Sequence, residues 1–350
     1  MKTVTVSASK GYDVIIGSGV LQQLDKYVQT IKQSCKIAII SDTNVAPLYM
    51  DTIRNILNAA GYPCCSYVFS AGESSKNGNT YLSILEFVAQ NKLTRSDLII
   101  ALGGGVVGDM AGFTAATYLR GVDYIQIPTT LLAMVDSSVG GKTAIDLPSG
   151  KNLAGAFYQP RLVLCDIDTL STLPDSIFID GCAEVLKYGI LFDVDLWHHL
   201  QINGVDFNRE YIISRCVELK RDIVCEDEFD TGKRQLLNLG HTIGHGIEAV
   251  SNFSISHGNA VAIGTSAISK IAVNLKLLEP AVYNEIIDTL VKFRLPVKTV
   301  YTADVILPYM LGDKKRSGAQ INLIVPNRIG NCTIMLASIE QLESLLKAGL

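Results

Sequence analysis

The chain carries little charge for its size. Asp, Glu, Lys and Arg make up 18% of its 350 residues, against the ~25% usual in globular proteins. The two signs nearly cancel, leaving a formal net charge of −4 and a pI of about 5.8. Such a balance excludes a sequence-independent grip on nucleic-acid phosphates. Eight cysteines are present (Cys35, Cys64, Cys65, Cys165, Cys182, Cys216, Cys225 and Cys332), but none forms a Cys-x-x-Cys pair. At this length no secreted disulfide framework is expected, so the thiols are read as reduced and the compartment as the cytoplasm. No membrane span is expected either: the most apolar long stretch, Leu98 to Leu119, holds five glycines and Asp109, which suits a buried strand, a loop and a helix. The opening, Met1 to Gly17, alternates apolar and polar residues (Val4 and Val6 against Thr3, Thr5 and Ser7) and reads as a strand rather than a signal peptide. Without an export signal the Asn252-Phe253-Ser254 sequon means nothing.

What the chain does have is apolar mass. Hydrophobic residues reach 48% and mean hydropathy is +0.27, enough for a large core. At about 150 residues per domain, two domains are expected. The first half repeats one rhythm. Lys36 to Ser41, Cys64 to Phe69, Leu98 to Leu102, Asp123 to Ile127 and Leu162 to Cys165 read as short buried strands. Val45 to Ala60, ending at Gly61, and Tyr81 to Gln90 read as helices between them. This predicts an α/β domain over residues 1–172 with a Rossmann-like parallel sheet covered on both faces, where ligands sit beyond the carboxyl ends of the strands. Residues 173–350 predict a mostly α-helical domain: Cys182 to Phe192, Tyr211 to Cys225, His241 to Ser251, Ala260 to Leu275 and Ala281 to Leu290. There is a small hairpin across Pro326 to Asn331 and a final helix opened by the capping box of Ser338-Ile-Glu-Gln341.

Several motifs carry chemistry. Leu98-Ile-Ile-Ala-Leu-Gly-Gly-Gly-Val-Val-Gly-Asp109 runs a strand into a glycine cluster and a helix, the arrangement in which backbone N–H groups meet a pyrophosphate. It is not the Gly-x-Gly-x-x-Gly fingerprint, and a tight turn alone would also explain it. Between Pro128 and Thr143 hydroxyls crowd with Asp136, two glycines and Lys142. Lys151 and Asn152 follow in a Pro/Ser/Gly loop. Glu184 and Lys187 lie three apart on one helix face, as a surface ion pair would. His241 and His245 lie four apart, and His257 begins another helix. Two histidines with a carboxylate make a common catalytic zinc set, and spacing alone pairs His241 with His245. His198 and His199, beside Trp197, read as ordinary packing or surface residues. Lys220, Arg234, Lys314, Lys315 and Arg316 suit a phosphorylated or carboxylated substrate.

Together these motifs resemble the 3-dehydroquinate synthase family. Gly-Gly-Gly-Val-Val-Gly-Asp, Pro-Thr-Thr-Leu-Leu-Ala-x-Val-Asp-Ser-Ser-Val-Gly-Gly-Lys, Gly-Lys-Asn-Leu-x-Gly-Ala-Phe-Tyr-Gln-Pro, Ala-Glu-Val-x-Lys-Tyr-Gly, Leu-Asn-x-Gly-His-Thr-x-Gly-His and a late Asp-Lys-Lys occur in the family's order, from about Asp42 to Lys315. The resemblance implies an NAD-binding first domain, a helical metal- and substrate-binding second domain, a site in the cleft between them, and a homodimer. It implies zinc (cobalt being possible) held by Glu184, His241 and His257, and it moves His245 to the substrate phosphate. Implied NAD contacts are Asp42, Glu73, Lys76, Gly104, Gly105, Asp109, Thr129, Thr130, Lys142 and Lys151. Implied catalytic and substrate contacts are Asp136, Lys142, Lys151, Asn152, Lys187, Lys220, Arg234, Asn238, His245 and a lysine of the 314/315 pair, with Lys315 preferred. Arg120 resembles the arginine that reaches the neighbouring subunit's phosphate.

The implied reaction converts 3-deoxy-D-arabino-heptulosonate 7-phosphate into 3-dehydroquinate and phosphate, a step of aromatic amino acid biosynthesis through the shikimate pathway. It proceeds by transient oxidation with NAD, phosphate elimination, reduction and aldol closure. Departures from the family pattern are Asp230 in place of Glu, Asn259 in place of Glu and Met134 in place of Gln. Three readings compete. A related sugar-phosphate cyclase such as 2-deoxy-scyllo-inosose synthase would use a substrate without a carboxylate. A metal-dependent polyol dehydrogenase would release NADH. A nucleotide-binding regulatory protein that has lost catalysis would not need all three metal ligands.

Overall fold

The computed structural model describes residues 1–311 and 320–350. The chain folds into two compact units, Met1–Pro174 with Arg209–Phe229, and Asp175–Asn208 with Asp230–Leu350.

In chain order the first unit contains β1 (Lys2–Val6), β2 (Tyr12–Gly17), α1 (Leu24–Ile31), β3 (Ile37–Asp42), α2 (Ala46–Ala59), β4 (Cys64–Phe69), α3 (Gly78–Gln90), β5 (Leu98–Gly103), α4 (Gly105–Thr117), β6 (Asp123–Pro128), β7 (Lys142–Leu147), β8 (Gly150–Phe157) and β9 (Leu162–Asp166). Seven strands form one sheet in the order β1-β2-β9-β6-β5-β3-β4. All its pairings are parallel except the edge pair β1–β2. The continuous apolar runs follow from burial on both faces. Ile37, Ile39, Leu98, Ile100 and Leu102 point into one core with α1 and α2. Ala38, Ile40, Ile99 and Ala101 alternate into the other, with α3 and α4. The expected strand at Met1 to Gly17 is two antiparallel strands joined by a turn.

Asp97 ties this sheet together at its amino end. Its buried carboxylate accepts from the Thr94 N–H at 2.6 Å, the Thr94 hydroxyl at 2.8 Å and the Lys36 N–H at 2.7 Å. Burial opposes the charge, but the donated bonds outweigh it and hold the carboxyl below its ordinary value. A depressed folded pKa adds stability above the unfolded value of about 3.9 that disappears as pH falls through the folded one. Asp97→Asn is therefore expected to lower stability at pH 7 and to flatten its decline below about pH 4. Urea unfolding midpoints across pH 3–7 check this; parallel curves for the two proteins would refute it.

Next come α5 (Asp175–Phe192) and α6 (Val194–Asn203), which belong to the second unit, and then α7 (Arg209–Glu226). Here the division departs from the expectation of one boundary with residues 173–350 as a single domain: α7 returns to the first unit. The reason is its apolar face, with Ile212, Ile213, Cys216 and Val217 buried, which packs against β1 and β2. Polar ties reinforce it: the Met1 amino group meets Glu210 at 2.9 Å, and Ser9 donates to Glu228 through its N–H at 2.7 Å and its hydroxyl at 2.6 Å.

The second unit continues with α8 (His241–Val250), α9 (His257–Asn274), α10 (Pro280–Lys292), α11 (Ala303–Leu311), the hairpin β10 (Ile321–Arg328) and β11 (Asn331–Ala337), and α12 (Ile339–Gly349). The Ser338 capping box is present as expected. From Gly181 to Leu191 every residue of α5 is buried, and α9 is buried on nearly all sides; helices without a polar face form the centre of a bundle. Among the described residues no helix is long and apolar enough to cross a membrane.

Candidate active site

In the first unit the parallel sheet gathers chemistry along one edge. β6, β5, β3 and β4 are neighbours, so Asp42 at the end of β3, Gly104 and Gly105 after β5, and Thr129 and Thr130 after β6 share the carboxyl edge. Glu73 and Lys76 follow β4. Gly104 caps α4 with no side chain on the free N–H groups. A Cβ there would come within 3.1 Å of Thr130 Cγ2. Among the described residues the buried hydroxyl of Thr129 has no hydrogen-bond partner, while Thr130 Oγ1 accepts from the Ala133 N–H at 3.2 Å. A helix start stripped of caps, with its glycine approach open, is the form of a phosphate site.

The same edge carries a tight polar cluster. Lys76 is buried and its Nζ lies 2.5 Å from Asp109 Oδ2 on α4. It also donates to Asn152 Oδ1 at 2.6 Å. Burial works against the charge of Lys76, but Asp109 and Glu73 outweigh it and raise its pKa. Lys151 lies 3.3 Å from Glu73. Lys220 of α7 is buried and holds Asp136 twice, through the carboxylate at 2.8 Å and the backbone carbonyl at 2.6 Å. Asp42 accepts from its own turn, from the N–H groups of Asn44 and Val45, each at 2.9 Å.

In the second unit three helices converge. Glu184 of α5 is completely buried, and its Oε1 lies 3.3 Å from His241 Nε2 on α8 and 3.5 Å from His257 Nε2 on α9. Lys187, one turn on, presses its ammonium against the other oxygen. Among the described residues neither oxygen of Glu184 gains a hydrogen bond of proper geometry, an uncomfortable state for a dry carboxylate. Burial opposes its charge, yet Lys187 and His241 hold its pKa well below the usual range. At His257 burial likewise opposes charge, and Glu184 and Glu248 overcome it, pushing the imidazole up to about 10. His241 Nδ1 lies 3.0 Å from the Leu239 carbonyl, which turns Nε2 toward Glu184. One carboxylate oxygen and two imidazole nitrogens, all within 4.8 Å of one another, fit a divalent cation.

The pairing of His241 with His245 suggested by spacing alone is thus not the one the fold makes. His245 instead has its Nε2 3.9 Å from Glu248 Oε2, with a half-exposed ring. Glu184 and Lys187 are a buried pair, not a surface one. Lys142, Lys151 and Asn152 stand on β7 and β8 rather than in loops, because Lys142–Leu147 and Gly150–Phe157 pair as a hairpin apart from the main sheet. Arg234 is buried and Asn238 half-buried in a short turn of helix before α8. Lys142 and Arg120 are exposed, and Arg120 has the left-handed φ of 64°. Lys314, Lys315, Arg316 and Asp313 lie outside the described residues. Asp230 adopts a φ of 59°, a conformation that short Asp tolerates better than Glu. Met134 is wholly buried.

Two residues escaped sequence reasoning. Glu248, 2% exposed, sits beside both His245 and His257. The helical spacing His241-x-x-x-His245-x-x-Glu248 could have revealed it, since all three share a face of α8. Asp180 on α5 accepts from the Asn259 N–H at 3.0 Å and from the Ser256 hydroxyl. It caps α9 where Ser256 does not, and no spacing signal announces it.

Comparison with known proteins now decides the family. Models of the 3-dehydroquinate synthase N-terminal and C-terminal regions match residues 66–180 and 181–316. A 3-dehydroquinate synthase of Streptococcus suis is 42% identical over 354 residues, covering 99% of this chain and all of the relative. The chain belongs to the 3-dehydroquinate synthase family. Among solved structures, 2-deoxy-scyllo-inosose synthase complexed with carbaglucose-6-phosphate, NAD+ and Co2+ superposes with a TM-score of 0.90 at 26% identity, over the full length of both chains. An iron-containing alcohol dehydrogenase shares the fold alone, with a TM-score of 0.69 at 13% identity over 97% of each chain. The dehydrogenase reading therefore rests on fold only, while the 3-dehydroquinate synthase family covers both units in sequence.

Proposed function

We propose that this chain converts 3-deoxy-D-arabino-heptulosonate 7-phosphate into 3-dehydroquinate and phosphate, using NAD and a divalent metal, zinc or cobalt. The observation that carries the proposal is the meeting of Glu184, His241 and His257 from three helices in a chain of this family. Bound NAD supplies a hydride acceptor that is restored within the turnover, and the metal supplies a Lewis acid that eases loss of an alcohol proton.

The residues do the rest. The uncapped start of α4, with Gly104 and Gly105, takes the cofactor's pyrophosphate, and Asp42, Glu73, Lys76, Asp109, Thr129, Thr130, Lys142 and Lys151 surround it. Glu184, His241 and His257 hold the cation. Lys187 offsets the charge of Glu184 and, with Lys142, Asn152, Lys220, Arg234, Asn238, His245 and Lys315, orients an anionic sugar. Asp136 fixes Lys220. Positioning of both anionic ends, more than proton transfer by side chains, is what this basic set contributes. We further propose a homodimer in which Arg120 reaches the partner's substrate phosphate, and a cytoplasmic location, in keeping with eight free thiols.

The similarity to 2-deoxy-scyllo-inosose synthase sets the test. Phosphate release is followed with the heptulosonate phosphate and with glucose 6-phosphate, with and without chelator. Release from the first only, abolished by chelator and without NADH build-up, is expected. Turnover of glucose 6-phosphate would favour the other cyclase, and stoichiometric NADH would favour a dehydrogenase.

A further inference from the structure

Two imidazoles face Glu184, and each must present Nε2 as a lone pair to serve a cation. At His241 the ring is set by the backbone, Nδ1 lying 3.0 Å from the Leu239 carbonyl. His257 has a carboxylate in that place: its Nδ1 lies 3.4 Å from Glu248 Oε2. Glu248 is 2% exposed and sits in α8, whereas His257 is the first residue of α9. An imidazole at a helix start has freedom about χ1 and χ2 that backbone capping does not remove. The same oxygen of Glu248 lies 3.9 Å from His245 Nε2, so one carboxylate faces two rings of the cluster.

Building on the metal-binding reading above, we infer that Glu248 is a positioning residue: its carboxylate accepts the Nδ1–H of His257 and thereby locks the tautomer and ring angle that aim Nε2 at the metal. A carboxylate behind a ligating histidine orients the ring and makes it a stronger donor, and losing such a partner costs about 10–100-fold in metal affinity. Glu248 itself touches no reacting atom in this role. Gln keeps an acceptor oxygen and nearly the same volume at this position, whereas Ala keeps neither.

The test uses the full-length protein and Zn2+ alone, in chelator competition, for the unchanged protein, Glu248→Gln and Glu248→Ala. Expected is a loss of affinity of about 10–100-fold in Glu248→Ala, with Glu248→Gln recovering most of it. In the Zn2+-loaded protein, 15N resonances of His257 should report Nδ1–H with Nε2 on the metal in the unchanged chain, and a mixture of ring states in Glu248→Ala. Affinity of Glu248→Ala within about twofold of the unchanged protein, on a scale where 1.4 kcal/mol is tenfold, would overturn the inference. So would a tautomer pattern identical in all three proteins. Should Glu248→Ala not fold, Glu248→Gln decides: an unchanged His257 Nδ1–H signal supports the role, and its absence from the unchanged protein refutes it. An unchanged protein that binds no Zn2+ would instead sink the metal reading, whereas Zn2+ binding that Glu248→Ala leaves unaltered would sink only the role of Glu248.

Discussion

Replacing His257 by alanine is expected to remove the metal and turnover together. The ligand set proposed above has three protein donors, the usual number for a catalytic site that keeps a position open for substrate. Without His257, Glu184 and His241 remain 3.3 Å apart as a two-point site. A metal acting as Lewis acid is worth several kcal/mol in the transition state, so a fall in kcat/KM of roughly 10³-fold or more is expected. The fold should tolerate the change. The ring is 31% exposed, and the start of α9 is held separately by Asp180. Loss of its contacts with the buried Glu184 and Glu248 lowers stability, so the folded fraction is the one taken for analysis. Elemental analysis after gel filtration, with a phosphate-release assay on the same sample, gives the answer. Full activity with metal still bound would show that the ligands are assigned wrongly.

The second large effect concerns how α8 and α9 come close enough for His241 and His257 to share a cation. Gly264 lies inside α9, and a Cβ on it would fall 2.0 Å from the Gly240 carbonyl oxygen and 3.0 Å from the Gly244 nitrogen. Gly240, which precedes His241, has a φ of +75° and its own hydrogen faces Thr265 and the Val261 carbonyl. Both obstacles to a Cβ on Gly264 are backbone, so neither side can rotate away. Ala would raise helix propensity by about 1 kcal/mol, but forced overpacking costs typically 1–3 kcal/mol and more when backbone must move. The clash wins. A net loss of about 3 kcal/mol corresponds to a fall in Tm of roughly 6–12 °C for a domain of this size. Zn2+ affinity should fall with it, because spreading the helices parts the two imidazoles. Calorimetry of Gly264→Ala showing a Tm within about 2 °C of the parent, less than 1 kcal/mol on this scale, would contradict the packing argument.

Legibility differed by element, for physical reasons. The parallel strands β3 to β6 and β9 were readable because burial on two faces leaves an unbroken apolar run. The hairpin β7–β8 was not. Its strands mix glycine and lysine, exposed positions are scattered through them, and they pair as a two-stranded hairpin outside the main sheet, so neither alternation nor a continuous run marks them. α1 is eight residues long, α6 carries His198 and His199 beside a buried Trp197, and α11 contains Pro308; each weakens the helical period or the propensity. The single domain boundary failed at α7 because periodicity reports that a face is apolar, not which core receives it.

What could be read directly from the amino-acid order was local: the two kinds of architecture, the glycine-led entry into α4, the histidine-rich stretch, and the set of residue types suited to a phosphorylated acid and a metal. Family motifs then pointed to Glu184, His241 and His257, where spacing alone had paired His241 with His245. Only folding in three dimensions decided that α5, α8 and α9 bring Glu184 to His241 and His257, that His245 lies beside Glu248 in the same cluster, that the Glu184–Lys187 pair is dry, and that Asp180 holds the start of α9. The reason is that a period of 3.6 tells which side of a helix a residue occupies, whereas a ligand set depends on how close separate helices lie, and glycines such as Gly264 set that distance through contacts made far along the chain.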